Sequence, residues 1–476
     1  MFVLSAIPAT NLPQTCHSLF NDTLRGHLRS LRKSNALASG SKGASGRPGA
    51  RFSRLIKNLG PGLITGAADD DPSGIATYSQ TGAQFGFGQL WTALYQLPLL
   101  LAVQELCARI GSVTGKGLAG VIKQYYPRYI LIGVVMLVVV ANTINIGADI
   151  GAVAAAAGLV VHLPLWLFAL LTTLVVLTLE VLVSYKTYSK VLKWLALALL
   201  SYPATTFMIA QPWREILRAT VVPHIEFTFS FVFIITGVFG TSISPYMFFW
   251  QASEEVEEQV ALGVGADARG RPRLPRDFIR NMRIDTTVGM LSAELVQWFI
   301  IITTGSVLFA HGIRTINTAA DAARALEPLV NSFPDSGQAA RDLFAVGVIG
   351  LGLLGIPVLA GSAAYALTEA LGWKQGLWRR FTEARGFYGI IIASTGIGLL
   401  FNFVGINPIK ALVFAAVFNG VAAVPLLWLL GRINGNGRIL GIYRGGVLSR
   451  STVWVTFGVM ALSAAALLYT LVSRAW

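Results

Sequence analysis

The stretch GAADDDPSG, residues 66–74, places three consecutive carboxylates and a helix breaker inside a segment that otherwise has the composition of a membrane helix. Each charged side chain at membrane depth costs about 2.5–3.5 kcal/mol even on the gentler insertion scales. A helix cap needs only one such residue. Two roles are therefore open for Asp71. It caps a re-entrant helix and does nothing more, or it caps the helix and also binds a ligand inside the membrane.

The composition of the whole chain is that of a polytopic membrane protein. Of 476 residues, 54% are hydrophobic and only 13% are charged, and the mean hydropathy is +0.62. A soluble protein of this length needs far more charge to cover its surface. Two cysteines and five histidines without metal-ligand spacing argue against a disulfide framework and against a zinc enzyme.

Eleven apolar segments are long enough to cross a bilayer, which takes roughly 20 residues. They lie near residues 60–84, 90–110, 129–158, 164–184, 190–211, 227–250, 286–310, 342–370, 387–405, 408–430 and 452–473. We expect an all-α membrane protein in which residues 57–476 form the transmembrane domain. A short external amphipathic helix is predicted at 315–330.

The distribution of basic residues predicts the orientation of the chain. With the N-terminus in the cytoplasm, 30 of the 37 Lys and Arg residues fall on the cytoplasmic side, as the positive-inside rule requires. The C-terminus then lies on the opposite side, and residues 1–56 form a basic, disordered cytoplasmic tail. The net charge of +14 is explained by topology, so we predict no nucleic-acid partner. We expect a monomer in a bacterial inner membrane.

Two of the predicted spans are interrupted in the same way. Span 1 breaks at Asp71-Pro72 and span 6 at Ser244-Pro245, and each pair is a good N-cap followed by proline at the first helical position. The half-helices that end before these caps leave carbonyl groups without partners, and their dipoles favour a cation. Broken first helices indicate two inverted five-helix repeats, about 57–211 and 227–430, with an extra helix at 452–473.

Two other classes of function compete with a cation transporter. An intramembrane prenyltransferase would need two Asp-rich clusters to hold a Mg²⁺-diphosphate, and the chain has one. A Na⁺-coupled carrier of an organic acid would present a helix N-terminus to a carboxylate, whereas in this chain carboxylates occupy the break. We therefore predict a transporter that is not an enzyme and has no cofactor besides the transported divalent cation.

Three motifs resemble the Nramp divalent-metal transporters (natural resistance-associated macrophage proteins). GPGLITGAADDDPSG at 60–74 is similar to the family's GPGF…DPGN, and ARIGSVTGKGLAG at 108–120 is similar to ARLGxxTGxxLA. The family's MPHN in span 6 corresponds to SPYM at 244–247. The resemblance covers about residues 57–473.

The resemblance implies a metal site at the two breaks. The family's Asp and Asn of DPGN correspond to Asp71 and Gly74, and its Met corresponds to Ser244. Its carbonyl ligands correspond to those of Ala68 and Thr241. A thioether favours soft ions, so a hydroxyl in its place removes the discrimination against Mg²⁺.

Gly74 in place of Asn further predicts a roomier site, which fits an ion that keeps its waters. This pattern resembles the Nramp-related magnesium transporters. We expect Mg²⁺ as the favoured ion, with Mn²⁺ also carried; the alternative is a conventional proton-coupled Mn²⁺/Fe²⁺ transporter.

Further residues are expected around the site. Asp69 and Asp70 are predicted to line the hydrated approach of the ion. Asn419 stands where the family has a Gln near the site. In span 3, NIGADIGAVAAA at 145–156 keeps Asp149, which is either a member of a proton relay or a hydrogen-bonded interior carboxylate.

The same resemblance predicts weak or absent proton coupling. Ala152 replaces the family's Glu, and Tyr246 replaces its His, which titrates near neutral pH whereas tyrosine does not. Glu294 in span 7 is expected to be structural.

Overall fold

The structure is a computed structural model that describes residues 60–267, 271–275, 277–316, 323, 335–403 and 408–474. The predicted tail, 1–56, and most of the predicted helix at 315–330 lie outside these ranges. Within them the chain forms helices joined by short connections, and one isolated bridge pairs Ala266 with Pro272. The all-α class is confirmed.

Helices follow one another along the chain from the first break to the C-terminal end. They are α1 (Pro61–Asp69), α2 (Pro72–Phe85), α3 (Trp91–Thr114), α4 (Leu118–Tyr125), α5 (Arg128–Val160), α6 (Leu165–Leu182), α7 (Tyr185–Leu195), α8 (Ser201–Phe207), α9 (Trp213–Val221), α10 (Phe229–Ser242), α11 (Pro245–Ala261), α12 (Phe278–Thr304), α13 (Ser336–Leu371), α14 (Arg385–Phe401), α15 (Pro408–Asn434), α16 (Gly437–Leu440) and α17 (Val447–Arg474).

Each of the eleven predicted spans contains helix. In the described part of the chain, 8 helical stretches are long and apolar enough to cross a membrane. The other three predicted spans are divided or short: the first is α1 with α2, the fifth is α7 and α8 joined by a 3-10 turn at Ala196–Leu200, and the ninth is α14. That these three also cross the bilayer stays a prediction.

Both predicted breaks are present at the expected residues. α1 ends at Asp69 and α2 begins at Pro72 with Asp71 as its N-cap. α10 ends at Ser242 and α11 begins at Pro245 with Ser244 as its N-cap. Proline at the first helical position has no N–H to satisfy, so each break begins a new helix without losing a backbone hydrogen bond.

The half-helices that follow the breaks pack in corresponding ways. A Cβ atom at Gly82 of α2 would lie 2.6 Å from the carbonyl oxygen of Ile301 in α12. A Cβ atom at Gly111 of α3 would collide with the carbonyl oxygen of Ala252 in α11. α2 thus lies backbone to backbone against α12, and α11 lies in the same way against α3. That the chain consists of two inverted repeats stays a prediction.

Candidate metal-ion site

The two carboxylate oxygens of Asp71 have different roles, one in capping a helix and one in the candidate metal-ion site. Oδ1 accepts hydrogen bonds from the backbone N–H groups of Ser73 (2.9 Å) and Gly74 (3.0 Å) and from the Ser73 hydroxyl. Through these bonds Oδ1 caps α2. Oδ2 instead faces α5 and α11 and accepts a hydrogen bond from the side-chain amide of Asn145 at 3.0 Å. The cap therefore leaves one charged oxygen directed into the protein interior.

α5 contributes two residues to this point because their spacing is one helical turn. Asn145 and Asp149 lie four residues apart and so share a face of the helix. The Oδ1 atom of Asn145 and both carboxylate oxygens of Asp149 are buried without a hydrogen-bond partner, and Asp149 is close enough to Asp71 for their charges to interact. Asn145 was not among the predicted site residues, although it begins the motif that contains Asp149.

Tyr246 joins the two breaks. Its hydroxyl donates a hydrogen bond to the carbonyl oxygen of Ala68 (2.7 Å) and lies 3.4 Å from Oδ2 of Asp71. The carbonyl at the end of α1, predicted as a ligand, is thus paired across the site with the first turn of α11. Tyr246 can bind an ion through its neutral hydroxyl oxygen. Alternatively, its hydrogen bond to Ala68 can break, so that the carbonyl oxygen of Ala68 binds the ion.

The second break supplies neutral hydroxyl groups. Ser244 makes no side-chain capping bond to α11, and its Oγ atom is buried without a hydrogen-bond partner. The hydroxyl of Thr241, in the last turn of α10, is also buried without a hydrogen-bond partner. Buried polar groups are normally paired, so these two oxygens are available to a ligand.

The volume expected at Gly74 is not there. A Cβ atom on this residue would lie 3.0 Å from the carbonyl oxygen of Asp69 and 3.2 Å from the hydroxyl of Thr241. The ring of Tyr78 lies almost as near, at 3.3 Å. The prediction that Gly74 opens a roomier site is therefore wrong, because the ends of α1 and α10 have closed in on the position. Gly74 allows close approach and offers only a backbone N–H, already bound to Asp71.

Three more carboxylates lie beside the break. Asp69 and Asp70 are buried, and so is Glu294 of α12, which is 3% exposed. One oxygen of Asp69 and both oxygens of Asp70 and Glu294 lack hydrogen-bond partners. These carboxylates lie near enough to one another to repel when they are ionised. Glu294 was predicted to be structural; its place beside Asp69 could not be read from a single glutamate in an apolar helix.

Asn419 lies in the part of α15 that packs near the second break. It is buried in α15, directly before Gly420, whose missing side chain allows α15 to pack against Gly240 of α10. Gly355 of α13 has a similar role at the first break, since a Cβ atom there would lie 2.8 Å from the Cβ atom of Asp71.

The assembled donors are oxygen atoms of different charge. One carboxylate oxygen of Asp71, the amide oxygen of Asn145, the hydroxyls of Ser244 and Thr241, and the carbonyl of Ala68 surround the two breaks. In the described ranges, no three His, Cys, Asp or Glu side chains form a metal-binding group. Carboxylate, carbonyl and hydroxyl oxygens suit hard cations.

Comparison with known proteins gives a consistent result. The family described as natural resistance-associated macrophage protein-like (Nramp) matches residues 62–470. The divalent metal cation transporter MntH of Ralstonia nicotianae is 25% identical over 429 residues, which cover 87% of this chain and 90% of the relative.

Two solved structures share the fold. The manganese transporter of Eremococcus coleocola superposes with a TM-score of 0.71 at 16% identity, over 89% of this chain and 88% of that one. Mhp1, a nucleobase-cation-symport-1 family transporter, superposes with a TM-score of 0.55 at 14% identity, over 88% of this chain and 92% of that one. Since the family match spans almost the whole described chain, this protein belongs to the Nramp family and is a multi-pass membrane transporter rather than an enzyme.

Proposed function

We propose that the protein moves divalent metal cations across a membrane, with Mg²⁺ favoured and Mn²⁺ also carried. The observation that carries this proposal is the divided carboxylate of Asp71, whose Oδ1 caps α2 while Oδ2 contacts the Asn145 amide of α5 and the Tyr246 hydroxyl of α11. The curated relative from Ralstonia is named a divalent metal cation transporter, which supports the class of substrate.

Binding places the ion between the two breaks. Oδ2 of Asp71 provides the charge, and the neutral oxygens of Asn145, Ser244, Thr241 and Ala68 complete the set. The negative ends of the α1 and α10 dipoles point toward the same region, which favours a cation without adding charged side chains. Because Asp71 is fixed by three hydrogen bonds to its own helix, the site is arranged before the ion arrives.

Preference for a hard ion rests on the hydroxyl of Ser244. A thioether sulfur at this position would stabilise Mn²⁺, Fe²⁺ or Cd²⁺ over Mg²⁺, whereas a hydroxyl gives soft ions no such advantage. Mg²⁺ dehydrates reluctantly and keeps several of its waters, so we propose that some of these oxygens, together with the phenol of Tyr246, contact the ion through such waters.

The route to the site is closed on both sides in this conformation. Asp71 and Ser244 are 0% exposed and Thr241 is 1% exposed, so a helix must move before an ion can enter or leave. Alternating opening around a fixed midpoint is the expected mechanism for a fold with broken helices. Asp69, Asp70 and Glu294 would then line the approach and offset the charge of the ion as it loses water.

Proton coupling is proposed to be weak or absent. Tyr246 occupies the position of the family's titrating His, and Ala152 occupies that of its Glu. A proton-coupled Mn²⁺/Fe²⁺ transporter is the second candidate, and the unpartnered carboxylate of Asp149 beside Asp71 favours it.

We propose that the protein acts as a monomer with its N-terminus in the cytoplasm of a bacterial cell.

An ion-competition series in proteoliposomes tests the proposal. Reporters inside the vesicles measure Mn²⁺ uptake while Mg²⁺, Cd²⁺ or Ca²⁺ is added outside, with protein-free vesicles as the control. We expect Mg²⁺ to compete and a trapped pH dye to show no proton flux driven by metal. Competition by Cd²⁺ alone would contradict the Mg²⁺ preference, and acidification coupled to uptake would establish the second candidate.

A further inference from the structure

A basic cleft lies far from the ion site, where three separate segments meet. It has a volume of about 950 Å³ and is formed by the α6–α7 junction, the end of α11, and the loop after α13 together with Tyr388. Five of its lining residues are basic and one is acidic: Lys186, Lys190, Lys193, Arg379, Arg380 and Glu258. In the predicted topology, the cleft is on the side of the protein that carries most Lys and Arg residues.

α7 presents its lysines to the cleft as one face. They occur at positions i, i+4 and i+7, which lie together on a helix surface, namely Lys186, Lys190 and Lys193. The opposite face is packed into the protein through Tyr188 and Leu192, both at most 1% exposed. Burial of that face fixes the rotation of α7, so the three lysine side chains line the cleft. Lys193 also lies near enough to Asp285 for their charges to attract.

The arginine wall, Arg379 and Arg380, is held in place by the protein core. The carboxylate of Glu257 accepts hydrogen bonds from the backbone N–H groups of Leu377 (3.1 Å) and Trp378 (3.3 Å). Arg379 donates from Nε to the carbonyl oxygen of Gln375 at 3.1 Å, and its guanidinium lies 4.2 Å from the centre of the Trp378 ring. The backbone of the wall and the side chain of Arg379 are therefore held in place before any ligand binds.

Apolar side chains border the basic ones. Leu182, Trp378 and Phe381 are 77%, 45% and 40% exposed, and all three line the cleft. Leu182 is the last residue of an 18-residue apolar helix that qualifies as a membrane span. The cleft thus sits at the end of a span, where hydrocarbon gives way to the headgroup region, and tryptophan is enriched at this level.

We infer that this cleft binds the headgroup of an anionic phospholipid. The positive-inside rule explains why basic residues lie on this side, but not why five of them line one cavity. Basic pockets between membrane helices attract anionic headgroups. A free phosphate would use only the charges, whereas a lipid also covers the exposed Leu182, Trp378 and Phe381 with its acyl chains. The inference does not depend on which ion is transported.

Native mass spectrometry of the purified full-length chain tests the inference with phosphatidylglycerol and phosphatidylcholine as probes. We expect the wild type to retain phosphatidylglycerol selectively. The variant Lys186→Gln/Lys190→Gln/Arg380→Gln should bind it about tenfold more weakly or worse, since each basic residue near the surface contributes to the attraction. The matched control, Arg438→Gln/Arg444→Gln/Arg450→Gln, removes three exposed charges of the same predicted side outside the cleft and should bind like the wild type.

Three outcomes would overturn the inference. The control variant could lose as much phosphatidylglycerol binding as the cleft variant, or the wild type could retain phosphatidylcholine equally well. Displacement of the lipid by excess inorganic phosphate would instead assign the cleft to a free anion. If the triple variant fails to fold, Arg380→Gln alone still tests the site, because this exposed side chain should give a smaller loss of the same selectivity.

Discussion

The two helix breaks have the same backbone plan and opposite chemistry. At the first, Asp71 caps its own helix with one oxygen and keeps a charged oxygen for the site. At the second, Ser244 forms no side-chain cap and offers a neutral hydroxyl. One break therefore supplies charge and order, and the other supplies uncharged donors that can adapt to the ion.

The half-helices that precede the breaks also differ at their starts. α10 is capped locally, since the Thr228 hydroxyl accepts from the N–H of Phe231 at 3.3 Å. α1 is capped from another helix: the carboxylate of Asp285 in α12 accepts from the N–H groups of Gly60 (2.8 Å), Gly62 (2.7 Å) and Leu63 (3.3 Å). α1 thus depends on tertiary contacts at both of its ends, whereas the start of α10 is held by a local cap.

Removing the charge of Asp71 should have the largest effect. Asp71→Asn keeps an oxygen that can cap α2, whereas Asp71→Ala loses both functions. We expect metal uptake into proteoliposomes to fall by about tenfold or more in both, because the ion loses the attraction of its proposed carboxylate ligand. Only Asp71→Ala should also lose about 1 kcal/mol of stability from the missing cap. Normal uptake by Asp71→Asn would end the assignment of this residue as the ion ligand.

Asp285→Asn should destabilise the protein more than the corresponding change at the other break. The carboxylate makes charge-assisted hydrogen bonds to three amides, and weakening such a buried set costs about 1–3 kcal/mol. Thr228→Val removes one neutral cap and should cost about 0.5–2 kcal/mol. Thermal unfolding in detergent compares the two. Equal stability of Asp285→Asn and the wild type would show that α1 does not depend on this contact.

Ser244→Met should change selectivity more than rate. A sulfur at this position is expected to improve Cd²⁺ uptake relative to Mg²⁺ several-fold, since thioethers favour soft ions. Ser244→Ala is the control, because it removes the hydroxyl without adding a sulfur and should weaken Mg²⁺ uptake with no gain for Cd²⁺. An unchanged ratio in Ser244→Met would mean that this side chain does not face the ion.

Tyr246→Phe should give the smallest effect. It removes one hydrogen bond to Ala68 and a weak contact to Asp71, worth about 0.5–1.5 kcal/mol in total. We expect a change of a few-fold in the KM for uptake, and no change in its dependence on external pH. A steep new pH dependence would instead assign the phenol a part in proton movement.

The breaks were predictable because their causes are local. A good N-cap followed by proline specifies where a helix begins, whatever surrounds it. The roles of Asn145 and Glu294 were not predictable in this way, since each reaches the first break from a different helix. Gly74 shows most clearly what the sequence does not reveal. Its missing side chain suggested an open space, but Thr241 and Tyr78 occupy the position of that side chain. This arrangement depends on how α10 packs against α2.

The contact of Asp285 with the start of α1 has a mechanical consequence. α1 has nine residues, so it is about 13.5 Å long, and the break lies at its other end. If α1 swings about the break, its first turn travels farthest, and that is where Asp285 holds it. A contact at the end of α1 farthest from the break resists this rotation most strongly, because its force acts over the longest distance from the pivot. Asp285, which is not among the oxygens gathered around Asp71, would then slow opening on that side, so we expect a change at Asp285 to alter turnover without altering affinity.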